Sequence, residues 1–448
     1  MKDKIYSNPR ELFVSLIRIL CITCMIILIM PSTNYLFMDK SYAIKSPKLP
    51  AIKDGNLRAE TVFKGKLFPT GMAFLSARDI LIIDKESGKV FRIINGQKLD
   101  APLLDVNVAN VSERGLLGIA VANNTNNSKS DSTPYVFLYY TETKDRDGGE
   151  VLGNRLYRYD LVDNKLVNPK LLLNLPTKPG PSHNGGVLKV GPDKKSIYLV
   201  IGDLNRLSNV SFFTQAQNIE FSGPPDGRGG ILRVTFDGKV VGGHGILGGD
   251  SPLNKYFGYG LRNSFGITFD PVTGNLWDTE NGANFGDEIN LVEPGFNGGW
   301  RQVQGMAYLN DLFDTQNLVT FNGKGKYSDP EFEWMNTTGP TSITFLNSTK
   351  LGKQYENDMF VGNINGTLHH FDLLPNRSAL ALTGVLSDKV ANTNDELKDV
   401  VFGQGFGLIT DLETGPDGYL YVLSFYYRNT GIIYRIVPSD GNVPQTDL

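Results

Sequence analysis

Past residue 57 the apolar residues of this chain do not follow a helical period over any window of about twelve residues. They come instead in short runs, each closed by a turn. Ile80-Leu81-Ile82-Ile83, Tyr135-Val136-Phe137-Leu138-Tyr139-Tyr140, Ile197-Tyr198-Leu199-Val200-Ile201 and Tyr419-Leu420-Tyr421-Val422-Leu423 read as strands. Ser87-Gly88, Pro192-Asp193, Asp237-Gly238, Thr273-Gly274 and Pro416-Asp417-Gly418 supply the turns between such runs. A degenerate repeat links them. Gly71-Met72-Ala73-Phe74, Gly118-Ile119-Ala120-Val121 and Gly266-Ile267-Thr268-Phe269 open units. Lys89-Val90-Phe91-Arg92, Asn154-Arg155-Leu156-Tyr157-Arg158 and Gly431-Ile432-Ile433-Tyr434-Arg435 close them. Units of about fifty to sixty residues, roughly four strands each, predict an all-β, six-bladed β-propeller. A β-helix or two sandwiches fit the repeat spacing less well.

Two stretches interrupt the repeat. Asn123 to Thr133 is polar and reads as an exposed loop, and Met306 to Tyr327 lies between units as a lid or rim. The start of the chain differs again. Lys2, Lys4 and Arg10 precede an apolar stretch from Leu12 to Met30, with Ser41-Tyr42-Ala43 further on as a small-residue cleavage site. Residues 1–45 therefore read as a signal peptide or signal anchor with a linker, and 46–448 as the propeller. Export to the extracellular space or cell surface follows, with a membrane tether if the leader is retained. Both cysteines, Cys21 and Cys24, lie in the leader, so the exported part has no disulfide and no thiolate metal site. Eight Asn-x-Ser/Thr sequons fit an extracellular surface.

Composition removes other classes. With 40% hydrophobic and 20% charged residues the chain is that of a folded protein, and a formal charge of -3 shows no basic excess to support a nucleic-acid role. Neither a Gly-x-Ser-x-Gly elbow nor a phosphate-cradling P-loop is present.

The remaining chemistry sits on loops. Only four histidines exist, and His183 alone lies in a glycine- and proline-rich loop, Pro181-Ser182-His183-Asn184-Gly185-Gly186. With an ordinary pKa of ~6.5 it suits a general base. The alternative is a loop histidine without a role. Arg262, in Gly260-Leu261-Arg262-Asn263, is a fixed cation for a ligand or a structural arginine bonding loop carbonyls. Asp278, Glu280, Asp287 and Glu288 gather carboxylates around glycines, which suits Ca²⁺; a solvated acidic hairpin is the plainer alternative.

In order along residues 58 to 437, these motifs resemble the glucose/sorbosone dehydrogenase family, the soluble pyrroloquinoline-quinone (PQQ) sugar dehydrogenases. The resemblance is carried by Glu113-Arg114-Gly115-Leu116-Leu117-Gly118-Ile119-Ala120, the His183 loop, Gly191-Pro192-Asp193 through Ile201-Gly202-Asp203, and Arg228-Gly229-Gly230-Ile231-Leu232-Arg233. Gly260 to Gly266, Glu280 to Leu291 and Gly298-Gly299-Trp300 add to it.

The resemblance implies PQQ- and Ca²⁺-dependent oxidation of an aldose at C1 to the lactone, with electrons passed to a quinone or a redox protein. His183 would take the C1 hydroxyl proton while hydride passes from C1 to the quinone C5. Arg262 and Asn263 would contact the cofactor near its reactive carbonyl. The backbone carbonyls of Gly282 and Ala283 would hold the Ca²⁺, with Asp287 and Glu288 as the acidic pair of the same loop. Glu113 stands where relatives place a glutamine that orients base and cofactor.

The chain departs from the family where a lysine and two arginines of the late blades anchor the three PQQ carboxylates. Asn363-Ile364-Asn365-Gly366 and Leu408-Ile409-Thr410-Asp411 stand there instead. Arg114, Arg206 and Arg301 are the candidate replacements. Two further readings follow: a non-catalytic propeller of the same family that binds glycan or protein, and metal-dependent lactone hydrolysis.

Overall fold

The computed structural model describes residues 48–123, 133–204, 213–310, 314–426 and 429–439. The leader, Cys21, Cys24, Arg206 and most of the Asn123–Thr133 stretch lie outside the described residues. Residues from Leu49 onward form one compact unit.

The expected strands are present, and no α-helix occurs among the described residues, only short 3-10 turns. The strands form six sheets. Numbered by the strand of each that contacts its neighbours around the ring, these are the sheets of Pro69–Ser76, Leu116–Ala122, Leu188–Val190, Ser264–Phe269, Pro340–Phe345 and Leu408–Thr414. Each of these strands neighbours the next, and the last neighbours the first, so the sheets close in a ring. The protein is a β-propeller.

The apolar runs follow from this ring, because the middle strand of each sheet is covered on both faces. In a strand, successive side chains point to opposite sides. Ile80 and Ile82 accordingly join the cluster shared with the sixth sheet, whereas Leu81 and Ile83 pack with Val136 and Leu138 of the second. Phe137 and Tyr139 turn the other way, to Ile197, Leu199 and Ile201 of the third sheet. Tyr198 and Val200 then meet Ile267 and Leu276 of the fourth. A strand with two buried faces needs no polar alternation, which is why these segments read as unbroken apolar runs.

The last sheet joins both ends of the unit. Leu57–Lys66 pairs antiparallel with Thr430–Pro438, from Leu57 opposite Pro438 to Lys66 opposite Thr430. Arg435 locks the seam, donating to Glu60 (2.8 Å from Nε to Oε1) and to Asp417 (3.0 Å). The Met306–Tyr327 stretch carries two 3-10 turns, Ala307–Leu309 and Thr315–Asn317, and ends in Lys326–Tyr327, which adds to the edge of the third sheet.

Candidate active site

The His183 loop follows the last strand of the second sheet and is fixed by Asn184, which is fully buried. The Asn184 side chain donates to Pro181 O (2.6 Å) and accepts from Asn154 (3.1 Å), and its carbonyl accepts from Tyr139 Oη (3.2 Å). His183 itself has φ 60°. That left-handed conformation is uncommon outside glycine, although histidine tolerates it better than most residues. It turns the imidazole onto the end of the buried strand Ser196–Ile201.

There Nδ1 of His183 lies 2.6 Å from Oδ1 of Asp203. Asp203 is fully buried, and its Oδ2 accepts from Trp300 Nε1 at 2.8 Å. A carboxylate on Nδ1 sets the tautomer with the proton on that nitrogen and the lone pair on Nε2. Nε2 has no partner among the described residues. Gly202 makes the approach possible, since a Cβ there would stand 2.5 Å from His183 O and 2.4 Å from Arg262 O.

Two carboxylates wire the other loops to this pair. Glu113 Oε2 accepts the His183 backbone N–H at 2.6 Å and Asn263 Nδ2 at 3.3 Å, so one oxygen bridges the second, third and fourth sheets. Glu280 Oε1 accepts the backbone N–H groups of both Arg262 and Asn263 at 2.7 Å. Burial, with the charge of Asp278 adding, pushes Glu280 up to about 8, against the pull of those two N–H groups. Arg262 donates to Asn281 O at 2.7 Å and lies 5.7 Å from the Trp300 ring centroid. It thus bonds a loop carbonyl and also lines the cavity beside His183.

The acidic loop divides into two parts. Asp287 accepts from Gly282 N (2.9 Å), Thr338 N (2.6 Å) and Gly339 N (2.8 Å), which pins the backbone at Gly282. Glu288 accepts from Gly305 N (2.8 Å) and Asn290 (3.0 Å). It stands directly between Glu280 and Glu333 across three strands, and burial pushes it too up to about 8. The carbonyls of Gly282 and Ala283 accept no hydrogen bond among the described residues. Two free, hard oxygen donors on a braced loop fit Ca²⁺.

The cavity has two adjoining parts, of about 570 Å³ at His183 and Arg262 and about 410 Å³ deeper among the inner strands. They share Glu113, Phe265, Asn281, Gly339 and Ile364. Ile364, Thr410 and Asp411 line the wall of the deeper part, where the resemblance predicts cations. Asp411 accepts from Met72 N at 2.8 Å, and burial beside Glu413 raises its pKa. Of the expected replacements, Arg114 is engaged by the carbonyls of Thr177 (2.5 Å) and Gly180 (3.4 Å). Arg301 lies over Phe213, 4.6 Å from its centroid.

The fold brings together His183, Glu113, Arg262 and Asn263, four of the residues expected to act as base and to contact the cofactor. Sequence alone assigns no role to Asp203, Trp300 or Lys85, although all three take part in the site or its wall, and it groups Glu280 with carboxylates suited to Ca²⁺, whereas Glu280 holds the backbone of Arg262 and Asn263. The available signal was Asp203, just past the buried apolar run Ile197–Ile201. A charge at the end of such a strand is costly to bury unless it is paired.

Comparison with known proteins agrees with this architecture. The sequence profile of the glucose/sorbosone dehydrogenase family matches residues 67–435, and the chain belongs to that family. It is 27% identical over 375 residues to aldose sugar dehydrogenase YliI of Escherichia coli, spanning 83% of this chain and 90% of that protein. Among solved structures, the apo form of the soluble aldose sugar dehydrogenase from Escherichia coli superposes with a TM-score of 0.63 at 23% identity, covering 85% of this chain and 99% of the other. The PQQ-bound aldose sugar dehydrogenase of Streptomyces coelicolor gives 0.58 at 22% identity, covering 86% and 99%. At these identities the superpositions establish the fold.

Proposed function

We propose that the protein oxidises an aldose at C1 to the lactone with PQQ and Ca²⁺, passing the electrons to a quinone or a redox protein. We read its six sheets as the six blades of the propeller, residues 1–45 as the export signal or membrane anchor, and the extracellular side or cell surface as its location. The observation that carries the reading is the His183–Asp203 pair, opening on a cavity shared with Glu113, Arg262 and Asn263.

When bound, the quinone would accept the hydride and Ca²⁺ would polarise its carbonyl as a Lewis acid. The carbonyls of Gly282 and Ala283 would hold the ion. Asp287 and Glu288 accept N–H groups and keep that loop in place. Nε2 of His183 takes the C1 hydroxyl proton as the C1–H bond breaks and the C1–O bond becomes a carbonyl. Asp203 stabilises the resulting imidazolium and holds the ring on its axis. Arg262 and Asn263, fixed through Glu280, present a cation and an amide to the cofactor. The rim from Met306 to Tyr327 would choose the sugar.

Titrating the full chain with PQQ and Ca²⁺ tests this, with aldose-dependent reduction of an artificial acceptor as the readout. Saturable turnover that disappears on chelation is the expected result. A folded, β-rich protein with no PQQ binding at micromolar concentration would favour the second reading, a glycan- or protein-binding propeller. The observation behind that alternative is the cation-free wall at Ile364, Thr410 and Asp411.

A further inference from the structure

Among the described residues, four cationic side chains lie on or beside the cavity wall, and three have an acceptor. Lys189 Nζ pairs with Glu413 at 2.5 Å, Arg262 donates to Asn281 O, and Arg114 is engaged by the carbonyls of Thr177 and Gly180. Lys85 is the exception. It follows the strand Asp79–Asp84 in the first sheet and is only 8% exposed. Its backbone carbonyl accepts from Leu116 N (3.0 Å), which seats it against the Glu113–Leu116 turn. The ammonium lies 5.3 Å from the Phe68 centroid and has neither ion pair nor hydrogen bond among the described residues.

An ammonium so deeply placed without an acceptor is unfavourable. Its desolvation appears as a lowered pKa, opposed by the charges of Glu86, Glu113 and Asp84. Of the nearby carboxylates, Glu113 accepts from His183 and Asn263, Asp84 accepts from the backbone of Phe68, Glu86 and Ser87, and Glu86 is exposed and makes no ion pair with Lys85. Lys85 does line the deeper cavity, on the first sheet, between the second sheet and the cation-free wall of the sixth.

We propose that Lys85 is the anchor for a carboxylate of the anionic quinone, supplied by the first sheet in place of the missing late-sheet cations. The inference rests on the proposed function and deepens it. A ligand carboxylate arriving at Lys85 completes a charge-assisted pair that its ammonium does not make with any side chain among the described residues. Lys189, held by Glu413, does not substitute for it.

The test is equilibrium binding to the full chain with Ca²⁺ present, read by quenching of tryptophan fluorescence. The ligands are PQQ and its trimethyl ester, and the proteins are wild type, Lys85→Met and Lys85→Arg. A hydrogen bond to a charged group contributes about 1.5–3 kcal/mol, so Lys85→Met should weaken PQQ binding by about tenfold or more. Lys85→Arg, which keeps the charge, should stay within a few-fold of wild type. The ester, with no charge to anchor, should bind wild type and Lys85→Met alike. The Lys85→Arg and ester comparisons keep the result readable if the methionine variant folds poorly. Wild type binding PQQ with Lys85→Met within twofold would overturn the role of Lys85 and leave the proposed function standing. Wild type binding no PQQ would overturn both.

Discussion

The two ends of the cavity are built differently. At the His183 end, loops of the second, third and fourth sheets are tied by buried carboxylates, each accepting two or more donors: Asp203 from His183 and Trp300, Glu113 from His183 and Asn263, Glu280 from Arg262 and Asn263. At the other end, the fifth and sixth sheets present Ile364 and Thr410, with an Asp411 whose buried carboxyl resists ionisation. The first end is arranged for proton transfer before any ligand arrives. The second presents no cation from the fifth or sixth sheet among the described lining residues, so the hydrogen-bonded His183 and the place for an anion lie in differently built parts of one cavity.

Asp203→Asn probes the first end and should have the largest effect. An amide on Nδ1 no longer fixes the tautomer or stabilises imidazolium, and positioned general-base catalysis contributes about 10²–10⁴-fold. Turnover of aldose should fall by about that factor while PQQ affinity stays within a few-fold of wild type. A parallel loss of affinity, measured by fluorescence titration, would break the separation between the two ends.

His369 probes the second. It is buried behind Asn363 against Trp334 and Phe371, and desolvation pulls its pKa down to about 4. Its folded pKa lies below the unfolded ~6.5, so the unfolded chain binds the extra proton between those values. The stability it confers is complete above pH ~6.5 and is lost as pH falls toward 4, by about 3 kcal/mol. His369→Phe should remove that part of the acid dependence of urea unfolding; an unchanged slope would contradict the burial argument.

A smaller effect sharpens the comparison from the opposite direction. Thr410→Arg adds a cation to the sixth-sheet wall, and one charge-assisted contact is expected to tighten PQQ by about tenfold. Turnover at saturating PQQ should stay within about twofold of wild type, as both quantities from one titration series would show.

The fold was legible because burial on both faces leaves a strong mark: Ile80–Ile83 and Ile197–Ile201 announce middle strands without reference to anything distant. The seam between Leu57–Lys66 and Thr430–Pro438 left no such mark, since nothing local to either strand names its partner. The same distinction governs the site. His183 stands out through its own neighbours, Gly185 and Gly186, but its pairing with Asp203 depends on the third sheet bringing a strand end beneath the loop. Lys85 looks like any lysine after a strand; only the closing of the ring shows that it faces a cavity.

The central claim is that His183, oriented by Asp203, takes the C1 hydroxyl proton of an aldose as the C1 hydride leaves. The most direct measurement is single-turnover reduction of PQQ bound to the full chain, followed by absorbance after mixing with an aldose carrying hydrogen or deuterium at C1. The account predicts saturable reduction that is slowed by C1 deuteration and falls by about 10²–10⁴-fold in His183→Ala. Reduction at an undiminished rate in His183→Ala, or none in PQQ-loaded wild type with any aldose, would contradict it.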